Sequence, residues 1–255
     1  MDLQLKNHCI LITGGTDGIG LALAKNLISE GANVAVCGRD EARLENARQL
    51  LGDNSLCFKA DVTKKEDIEA FIDASASKYG RIDGLVNNAG RASSIRLEDS
   101  TDADWQEDFD LKIMSTVRAI RYATAHLEKS NGVIINTLSN SARAPGAGST
   151  PTSATRSAGL TLTKTMANEL GPRGIRVNAL LVGFVASGQW ARRADGQGIS
   201  EEEFYVNTAK TMPIPLGRFG RSEEFADIAT YLLSPRASYI TGVGISVDGG
   251  LSPVI

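Results

Sequence analysis

The sequence has few cysteines and few aromatic residues, and it has no long apolar run. Its 255 residues include 3 cysteines and 5% aromatic residues. The odd count and the lack of a CxxC pair argue against a disulfide framework or a zinc site, so Cys9, Cys37 and Cys57 are interpreted as buried reduced thiols. No segment approaches the ~18 apolar residues of a spanning helix, and no basic region precedes a long apolar stretch at the N-terminus. The sequence therefore predicts a cytoplasmic protein with no membrane association and no metal ligands.

The charge balance excludes a further group of partners. The formal net charge is −3, and no run of basic residues is present. Such a chain offers no positive field for a nucleic-acid backbone or an anionic membrane. With 42% hydrophobic and 22% charged residues, the composition is that of a globular enzyme rather than a disordered or membrane chain. The expected partner is a small-molecule substrate.

Short, β-rich apolar runs alternate with longer helical segments along the chain. The predicted strands are residues 8–13, 33–38, 55–61, 84–90, 132–138 and 174–182. The predicted helices include residues 21–31, 40–52, 65–80 and about 101–129, and Gly31, Gly52 and Gly80 stand where three of them would end. Because the strands are continuously apolar, they are expected to form a parallel sheet with helices on both faces. The sequence predicts one α/β domain over residues 1–255, a doubly wound sheet of about seven strands.

A polar, glycine-containing stretch at residues 183–213 is long for a connection. It contains a predicted helix near 201–210 and is interpreted as a substrate lid. Four of its side chains either recognise an anionic or acyl substrate or form a solvated surface run. These are Gln189, Trp190, Arg192 and Arg193.

A glycine-rich turn, TGGTDGIG at residues 13–20, follows the first predicted strand and opens the first helix. Small residues there let the backbone approach a pyrophosphate, whose charge would lie on the free N–H groups of the helix start. A tight turn without a ligand is the alternative, but the position in the first βαβ unit favours a dinucleotide. The residues assigned to this cofactor cradle are Thr13, Gly14, Thr16, Asp17, Gly18, Ile19 and Gly20.

The TGxxxGxG pattern resembles the short-chain dehydrogenase/reductase superfamily, in particular its 3-oxoacyl-(acyl carrier protein) reductases. Further matching segments are Asp61-Val62, NNAG at 87–90, GIRVN at 174–178 and YITG…VDGG within 239–250. The resemblance implies a Rossmann-type fold and NAD(P)-dependent oxidoreductase activity. It also implies assembly into a homodimer or homotetramer.

Further cofactor contacts are implied by the same resemblance. Asp61 and Val62 would contact the adenine. The NNAG segment would steady the glycine turn and the cofactor, through Asn88, Ala89 and Gly90. Val185 and Ser187 would bind the nicotinamide carboxamide, although this chain has Leu181-Val182-Gly183 where relatives carry a Pro-Gly pair.

The end of the second predicted strand bears on the choice of cofactor. It reads Cys37-Gly38-Arg39, with no acidic residue to bind an adenosine 2′-hydroxyl. A guanidinium pairs with phosphate bidentately, so Arg39 favours NADP(H) over NAD(H), unless it is only a surface charge at a helix start. Asp17 argues the other way, because many NADP-preferring relatives carry a basic residue there.

The Tyr-x-x-x-Lys pair of the superfamily is missing. In relatives, the tyrosine passes a proton, the lysine lowers the pKa of the tyrosine and binds the ribose, and a serine orients the carbonyl; an asparagine completes the set. The matching positions here are Ser139 for the serine, Thr152 for the tyrosine, Arg156 for the lysine and Lys112 for the asparagine. None of the five tyrosines in the chain is followed by a lysine four residues later.

These replacements separate cofactor binding from proton transfer. An aliphatic hydroxyl is a far weaker acid than a phenol, so Thr152 cannot simply replace tyrosine, whereas Arg156 can still donate to ribose hydroxyls. Lys112 is the one new titratable group, and desolvation near Arg156 would make it a candidate acid. Alternatively, a water held by Ser139 and Thr152 donates the proton.

Other arrangements of Lys112 stay open at this point. It could reach Ser139 and form a Ser–Lys pair, or it could fill space and pair with Asp110 or Glu107. Three functions follow. The first is an unusual NAD(P)-dependent oxidoreductase acting on a carbonyl or hydroxyl group. The second is a non-redox, lyase-like or hydrolase-like enzyme in which Ser139, Lys112 and Arg156 bind an oxyanion. The third is a catalytically silent cofactor-binding partner or sensor.

Overall fold

The computed structural model describes residues 1–254. The strands are β1 Cys9–Thr13, β2 Asn33–Gly38, β3 Ser55–Lys59, β4 Gly84–Asn87, β5 Ser94–Ile95, β6 Val133–Ser139, β7 Thr150–Pro151, β8 Arg176–Val182 and β9 Gly244–Val247. The helices are α1 Gly18–Ser29, α2 Glu41–Leu51, α3 Lys65–Tyr79, α4 Asp102–Phe109, α5 Ser115–Ser130, α6 Thr152–Leu170, α7 Gly188–Gly196, α8 Glu201–Thr211 and α9 Ser222–Leu233.

Seven strands form one sheet in the order β3-β2-β1-β4-β6-β8-β9. Every neighbouring pair is parallel, which confirms the predicted parallel α/β sheet. The chain builds outward from β1 to β3 and then returns to place β4 on the other side of β1. In open parallel sheets, this reversal of strand order opens a crevice at the carboxyl ends of the strands, where ligands bind.

Both faces of the sheet are buried, which explains the continuous apolar strands. In β1, the side chains of Ile10 and Ile12 belong to the core beneath α1 and α9, whereas Cys9 and Leu11 belong to the core beneath α3 and α5. Successive strand residues point to opposite faces, so a strand covered on both sides needs an apolar residue at every position. Each such side chain contributes about 1.5–3 kcal/mol on burial.

Two helical segments differ from the predictions. The predicted helix at 101–129 is α4 and α5 joined by the π-helical turn Asp110–Met114, so the backbone stays helical but one turn is wider. The lid, residues 183–213, contains α7 in addition to the expected α8. Helix α7 escaped prediction because glycine stands at both of its ends and Ala194 is its one buried residue.

A small antiparallel pair lies beside the main sheet. Strand β5 pairs with β7, with Ser94 opposite Pro151 and Ile95 opposite Thr150. This pair joins the loop after β4 to the start of α6. Of the three free cysteines, Cys9 and Cys37 are buried as expected, but Cys57 is only half-buried. Within residues 1–254, no helix is both long enough and apolar enough to span a bilayer.

Candidate active site

A cavity of about 1180 Å³ opens at the carboxyl ends of the central strands. Most of the predicted site residues line it: Gly14, Thr16, Asp17, Gly18, Ile19, Arg39, Val62, Asn88, Ala89, Gly90, Ser139, Thr152, Arg156, Val185 and Ser187. Four of the predicted site residues are not part of this lining: Thr13, Gly20, Asp61 and Lys112. The cavity is at the upper end of the size usual for small-molecule sites, so it has room for a dinucleotide and a substrate.

The glycine turn packs backbone to backbone against the NNAG segment. Gly14 has φ +64°, and a Cβ on it would lie 3.0 Å from the Cα of Ala89. A Cβ on Gly20 would lie 2.6 Å from Asn88 Nδ2 and equally close to the carbonyl oxygen of Gly14. The turn therefore requires glycine at Gly20 because the space for a side chain is already filled by the neighbouring segment.

Hydrogen bonds hold these two segments together. Asn88 Nδ2 donates to the carbonyl oxygens of Thr13 and Gly14 at 3.0 and 3.1 Å. In return, Thr13 Oγ1 accepts from the backbone N–H groups of Asn88 and Ala89 at 3.0 and 3.1 Å. Thr13 and Gly20 thus shape the turn from behind and leave the cavity wall to their neighbours.

Three guanidinium groups gather at the end of the cavity beside the glycine turn. Arg39 lies 3.6 Å from the carboxylate of Asp61. Asp17 caps α1 and also pairs with Arg192 of the lid at 3.1 Å and with Arg43 of α2 at 3.8 Å. The carboxylate of Asp17 is therefore already balanced by two cations. This arrangement weakens the argument from the sequence that Asp17 opposes a phosphate.

The four lid residues singled out from the sequence have separate contacts. The ring of Trp190 packs against Phe184 and Phe219, with centroids 5.3 and 5.8 Å away. Arg193 lies over the Trp190 ring at 4.7 Å, outside the cavity lining, whereas Gln189, Trp190 and Arg192 line the cavity. The lid thus rests on an aromatic cluster, and Arg192 is engaged with the glycine turn through Asp17.

Thr152, the first residue of α6, is held by two hydrogen-bond donors. Its Oγ1 accepts from Lys112 Nζ at 2.6 Å and from the backbone N–H of Ser93 at 2.9 Å. Lys112 Nζ also donates to Asp108 Oδ1. The other oxygen of Asp108 accepts from Thr155 Oγ1 at 2.6 Å. We call these four side chains, Asp108, Lys112, Thr152 and Thr155, the α4–α6 cluster.

The suggested pairing of Lys112 with Asp110 or Glu107 is wrong, because Asp108 takes that place. Glu107 instead pairs with Arg91 at 2.6 Å, and the carboxylate of Asp110 accepts from Gln106. Side chains four residues apart face each other on a helix, so the spacing of Asp108 and Lys112 was the signal that could have identified the pair.

The proposed Ser139–Lys112 pair is not formed in the described part of the chain. Ser139 Oγ lies 2.9 Å from Ser141 Oγ and accepts from the N–H of Ser141. The hydrogen bonds of Lys112 go to Asp108 and Thr152. The geometry therefore gives no support to a Ser–Lys nucleophile.

Arg156 lies between the NNAG segment and the end of β6. Its Nη1 donates to the carbonyl oxygen of Thr137 at 2.6 Å, and a Cβ on Gly90 would lie 2.8 Å from its Nη2. Arg156 Nε and Thr137 Oγ1 are buried without a hydrogen-bond partner among residues 1–254. Such groups are rare in folded proteins, and at a cavity wall they fit a bound polyhydroxyl group such as a ribose. The chain thus fits the dinucleotide that its glycine turn implies.

The two buried cations differ in how readily they lose a proton. Burial, with help from the charge of Arg156, lowers the pKa of Lys112 to about 8, and Asp108 opposes this change. Burial lowers the pKa of Arg156 to about 10. Lys112 is therefore the group at this site that changes charge close to neutral pH.

The chain matches a known protein family over nearly its whole length. The family described as enoyl-(acyl carrier protein) reductase matches residues 14–252. The chain belongs to the short-chain dehydrogenase/reductase superfamily. Within that superfamily it is similar to the 3-oxoacyl-(acyl carrier protein) reductases. This similarity supports an oxidoreductase activity in general terms, on a carbonyl or hydroxyl group.

Individual members of the superfamily match over nearly the whole chain. 2-(S)-hydroxypropyl-CoM dehydrogenase 3 of Xanthobacter autotrophicus is 36% identical, with 100% of both chains covered. A short-chain oxidoreductase of Pseudomonas aeruginosa PAO1, described as containing an atypical catalytic center, is 35% identical, with a TM-score of 0.93 over 98% of this chain and 99% of that one. That protein has also been solved with NADPH. A 3-ketoacyl-(acyl carrier protein) reductase from Brucella melitensis, solved with NADH, is 30% identical, with a TM-score of 0.87 over 98% of this chain and 100% of that one.

Replacing Gly20 by alanine tests the packing of the turn. Because the new Cβ would meet Asn88 Nδ2 at 2.6 Å, we expect Gly20→Ala to displace Asn88 and to weaken NADPH binding by at least about tenfold. Fluorescence titration with NADPH measures the effect. The matched control is Gly171→Ala, at a helical φ of −55° with nothing within 4 Å of a new Cβ, which should bind NADPH normally. Equal binding by both variants would contradict the close packing.

Proposed function

We propose that this protein is an NAD(P)-dependent oxidoreductase that interconverts a carbonyl and a hydroxyl group on a small molecule, with Lys112 exchanging the proton through Thr152. The observation that carries the proposal is the 2.6 Å hydrogen bond from Lys112 Nζ to Thr152 Oγ1. Thr152 lines the cavity and Lys112 lies behind it, so the lysine reaches a substrate only through the threonine.

The hydrogen bonds of Thr152 leave its own proton available. A hydroxyl has one donor hydrogen and two acceptor lone pairs. The donors Lys112 and Ser93 take up the acceptor capacity of Oγ1, and no acceptor for the Thr152 hydrogen is present in residues 1–254. That hydrogen is the one available to a substrate oxygen in the cavity.

The proton transfers balance in the direction of carbonyl reduction. The glycine turn and Arg156 would hold a reduced nicotinamide cofactor, which when bound would supply the hydride for the carbonyl carbon. The substrate oxygen takes the proton of Thr152 as the C=O double bond becomes the C–O single bond of an alcohol. Thr152 takes a proton from Lys112 in the same step, so it never carries a full negative charge, and Lys112 becomes neutral. Alcohol oxidation runs these transfers in reverse.

Ser139 and Arg156 have supporting roles in this proposal. Ser139 Oγ lines the cavity and would donate to the same carbonyl oxygen, which orients the substrate. Arg156, which lines the cavity, would donate to the ribose hydroxyls, and its positive charge would stabilise negative charge that develops on the substrate oxygen. The glycine turn and α1 would hold the pyrophosphate, while Val185 and Ser187 would contact the carboxamide.

We assign NADP(H) as the preferred cofactor. Arg39 lines the cavity at the end of β2, where the adenosine 2′-phosphate would lie, and its present partner is the single carboxylate of Asp61 at 3.6 Å. Asp17, which argued for NAD(H), is neutralised by Arg43 and Arg192. The net charge around the phosphate position is therefore favourable to NADP(H).

Replacing Thr152 by valine tests the proton path. Thr152→Val removes the hydroxyl but keeps the shape and leaves the Asp108–Lys112 pair in place. We expect kcat to fall by about 10²–10⁴-fold, with the Kd for NADPH unchanged within about twofold. Loss of reduced-nicotinamide absorbance with a panel of ketones and acyl thioesters measures kcat. The control is Thr165→Val on the exposed side of the same helix, which should turn over normally. If Thr152→Val also turned over at the unaltered rate, the hydroxyl of Thr152 would have no part in the mechanism.

The pH dependence tests the identity of the acid. Reduction needs protonated Lys112, whose pKa is lowered to about 8 by burial and by Arg156. We expect kcat/KM for reduction to be level below this pH and to fall about tenfold per pH unit above it, while oxidation rises with pH to a plateau. A profile for reduction that stays level to pH ~10 would exclude Lys112 as the donor.

The Arg39→Ala variant tests cofactor choice. Loss of a charge-assisted bond to the 2′-phosphate should raise the Kd for NADPH by about 10–100-fold and leave the Kd for NADH within about threefold. Paired titrations with the two cofactors give the ratio. Equal weakening of NADPH and NADH binding would mean that Arg39 is a general surface charge. If the unaltered protein binds NADPH tightly but turns over no substrate, a catalytically silent cofactor-binding protein is favoured instead.

A further inference from the structure

Asp108 is a buried carboxylate to which the function proposed above gives no role. Its side chain is 1% exposed and that of Lys112 is 2% exposed, so both charges are removed from water. Burying an ion pair costs about as much as the attraction returns, and an apolar pair of similar volume would often stabilise the fold equally well. Stability alone therefore does not explain why the pair is present.

The geometry around Asp108 joins two helices at one point. Asp108 lies in the last turn of α4 and Lys112 in the π-helical turn that follows, so their spacing places them on one face. Thr152 and Thr155, three residues apart, occupy one face of the first turn of α6. The carboxylate accepts from Lys112 with one oxygen and from Thr155 with the other. Each carboxylate oxygen of Asp108 thus has its own donor. The orientation of the carboxylate is therefore fixed, and the ammonium group of Lys112 bound to it has little freedom to move.

We propose that Asp108 is a positioning residue of the active site: tethered by Thr155, it holds the ammonium group of Lys112 on the hydroxyl of Thr152 and keeps it charged. The proposal rests on the function proposed above for Lys112 and extends it to a residue that does not touch the cavity. Asp108 is not among the residues that line the cavity, so its effect on a substrate passes through Lys112 and Thr152.

The charges that face Lys112 explain why a carboxylate is needed. Arg156 on α6 and Arg91 after β4 both disfavour a positive charge on Lys112, and burial adds to this effect. Arg91 is itself paired with Glu107. Asp108 on α4 is the group that opposes them. With it, the cluster and Arg156 carry two cations against one anion, and the surplus positive charge lies beside the cavity.

The decisive measurement is the pKa of Lys112 in the cofactor-free protein. Lysine labelled with ¹³C at Cε is titrated by NMR, and the signal missing from Lys112→Arg identifies residue 112. In Asp108→Asn the shape is kept and the charge is lost, so we expect the pKa of Lys112 to fall by about one pH unit or more from its starting value. The falling limb of the reduction profile should move to lower pH by the same amount.

Thr155→Val provides a second, independent variant. It keeps the Asp108–Lys112 pair but removes the hydroxyl dipole whose positive end points at the carboxylate. The pKa of Lys112 should then rise by a few tenths of a pH unit, opposite to Asp108→Asn, while kcat falls about tenfold at unchanged Kd for NADPH. A purely structural role would not move the pKa in opposite directions. Because Thr155→Val leaves no buried charge unpaired, it gives an answer even if Asp108→Asn does not fold.

The matched control is Asp110→Asn, the same chemical change two residues away. Asp110 accepts from Gln106 and does not contact Lys112, so its variant should titrate and turn over like the unaltered protein. A pKa of Lys112 that does not fall in Asp108→Asn, or that does not rise in Thr155→Val, would overturn the positioning role. If the pKa of Lys112 changes as expected but the turnover rate does not, Lys112 is refuted as the proton donor. The effect of Asp108 on Lys112 would still stand.

Discussion

The parallel pairing of β1 with β4 is the contact around which the site is arranged. Ile10 lies opposite Gly84 and Ile12 opposite Val86, so the two strands end side by side. Just beyond their ends, the amide of Asn88 donates to the carbonyl of Gly14, 74 residues earlier in the chain. This register places the glycine turn at the reversal of strand order, and β6 and α6 then bring Ser139, Thr152 and Arg156 to the same cavity.

Charge is the second constraint on the site. Lys112 and Arg156 are two cations near each other in a poorly solvated region, where like charges repel more strongly than in water. Asp108 reduces that repulsion without reaching the cavity. In the proposed mechanism, the surplus positive charge then faces the substrate oxygen. At the other end of the cavity, Asp17 balances Arg43 and Arg192, and Asp61 lies 3.6 Å from Arg39.

The fold and the cofactor cradle could be predicted because they depend on local patterns. Continuous apolar strands, helix-ending glycines and the TGGTDGIG turn are each set by a few consecutive residues. The partner of Lys112 depends instead on which acidic side chain is buried where α4 meets α6. Glu107, Asp108 and Asp110 are all acids; the four-residue spacing favours Asp108, and the packing of the two helices buries it. Helix α7 escaped prediction for a related reason, because its Trp190 packs against Phe184 and Phe219, which lie elsewhere in the chain.

In the proposed mechanism, Lys112 is the titrating group in place of the Tyr-x-x-x-Lys pair of relatives. A threonine hydroxyl is too weak an acid to titrate near neutral pH, and burial leaves the pKa of Arg156 at about 10. Lys112 alone among these residues changes charge near pH 8, and it lies behind the cavity wall instead of in it. Its pKa is therefore governed by α4 and α6 more than by the substrate. The side chain that lines the cavity can then be a threonine, which does not titrate near neutral pH, provided that α4 and α6 hold the ammonium group of Lys112 against its hydroxyl.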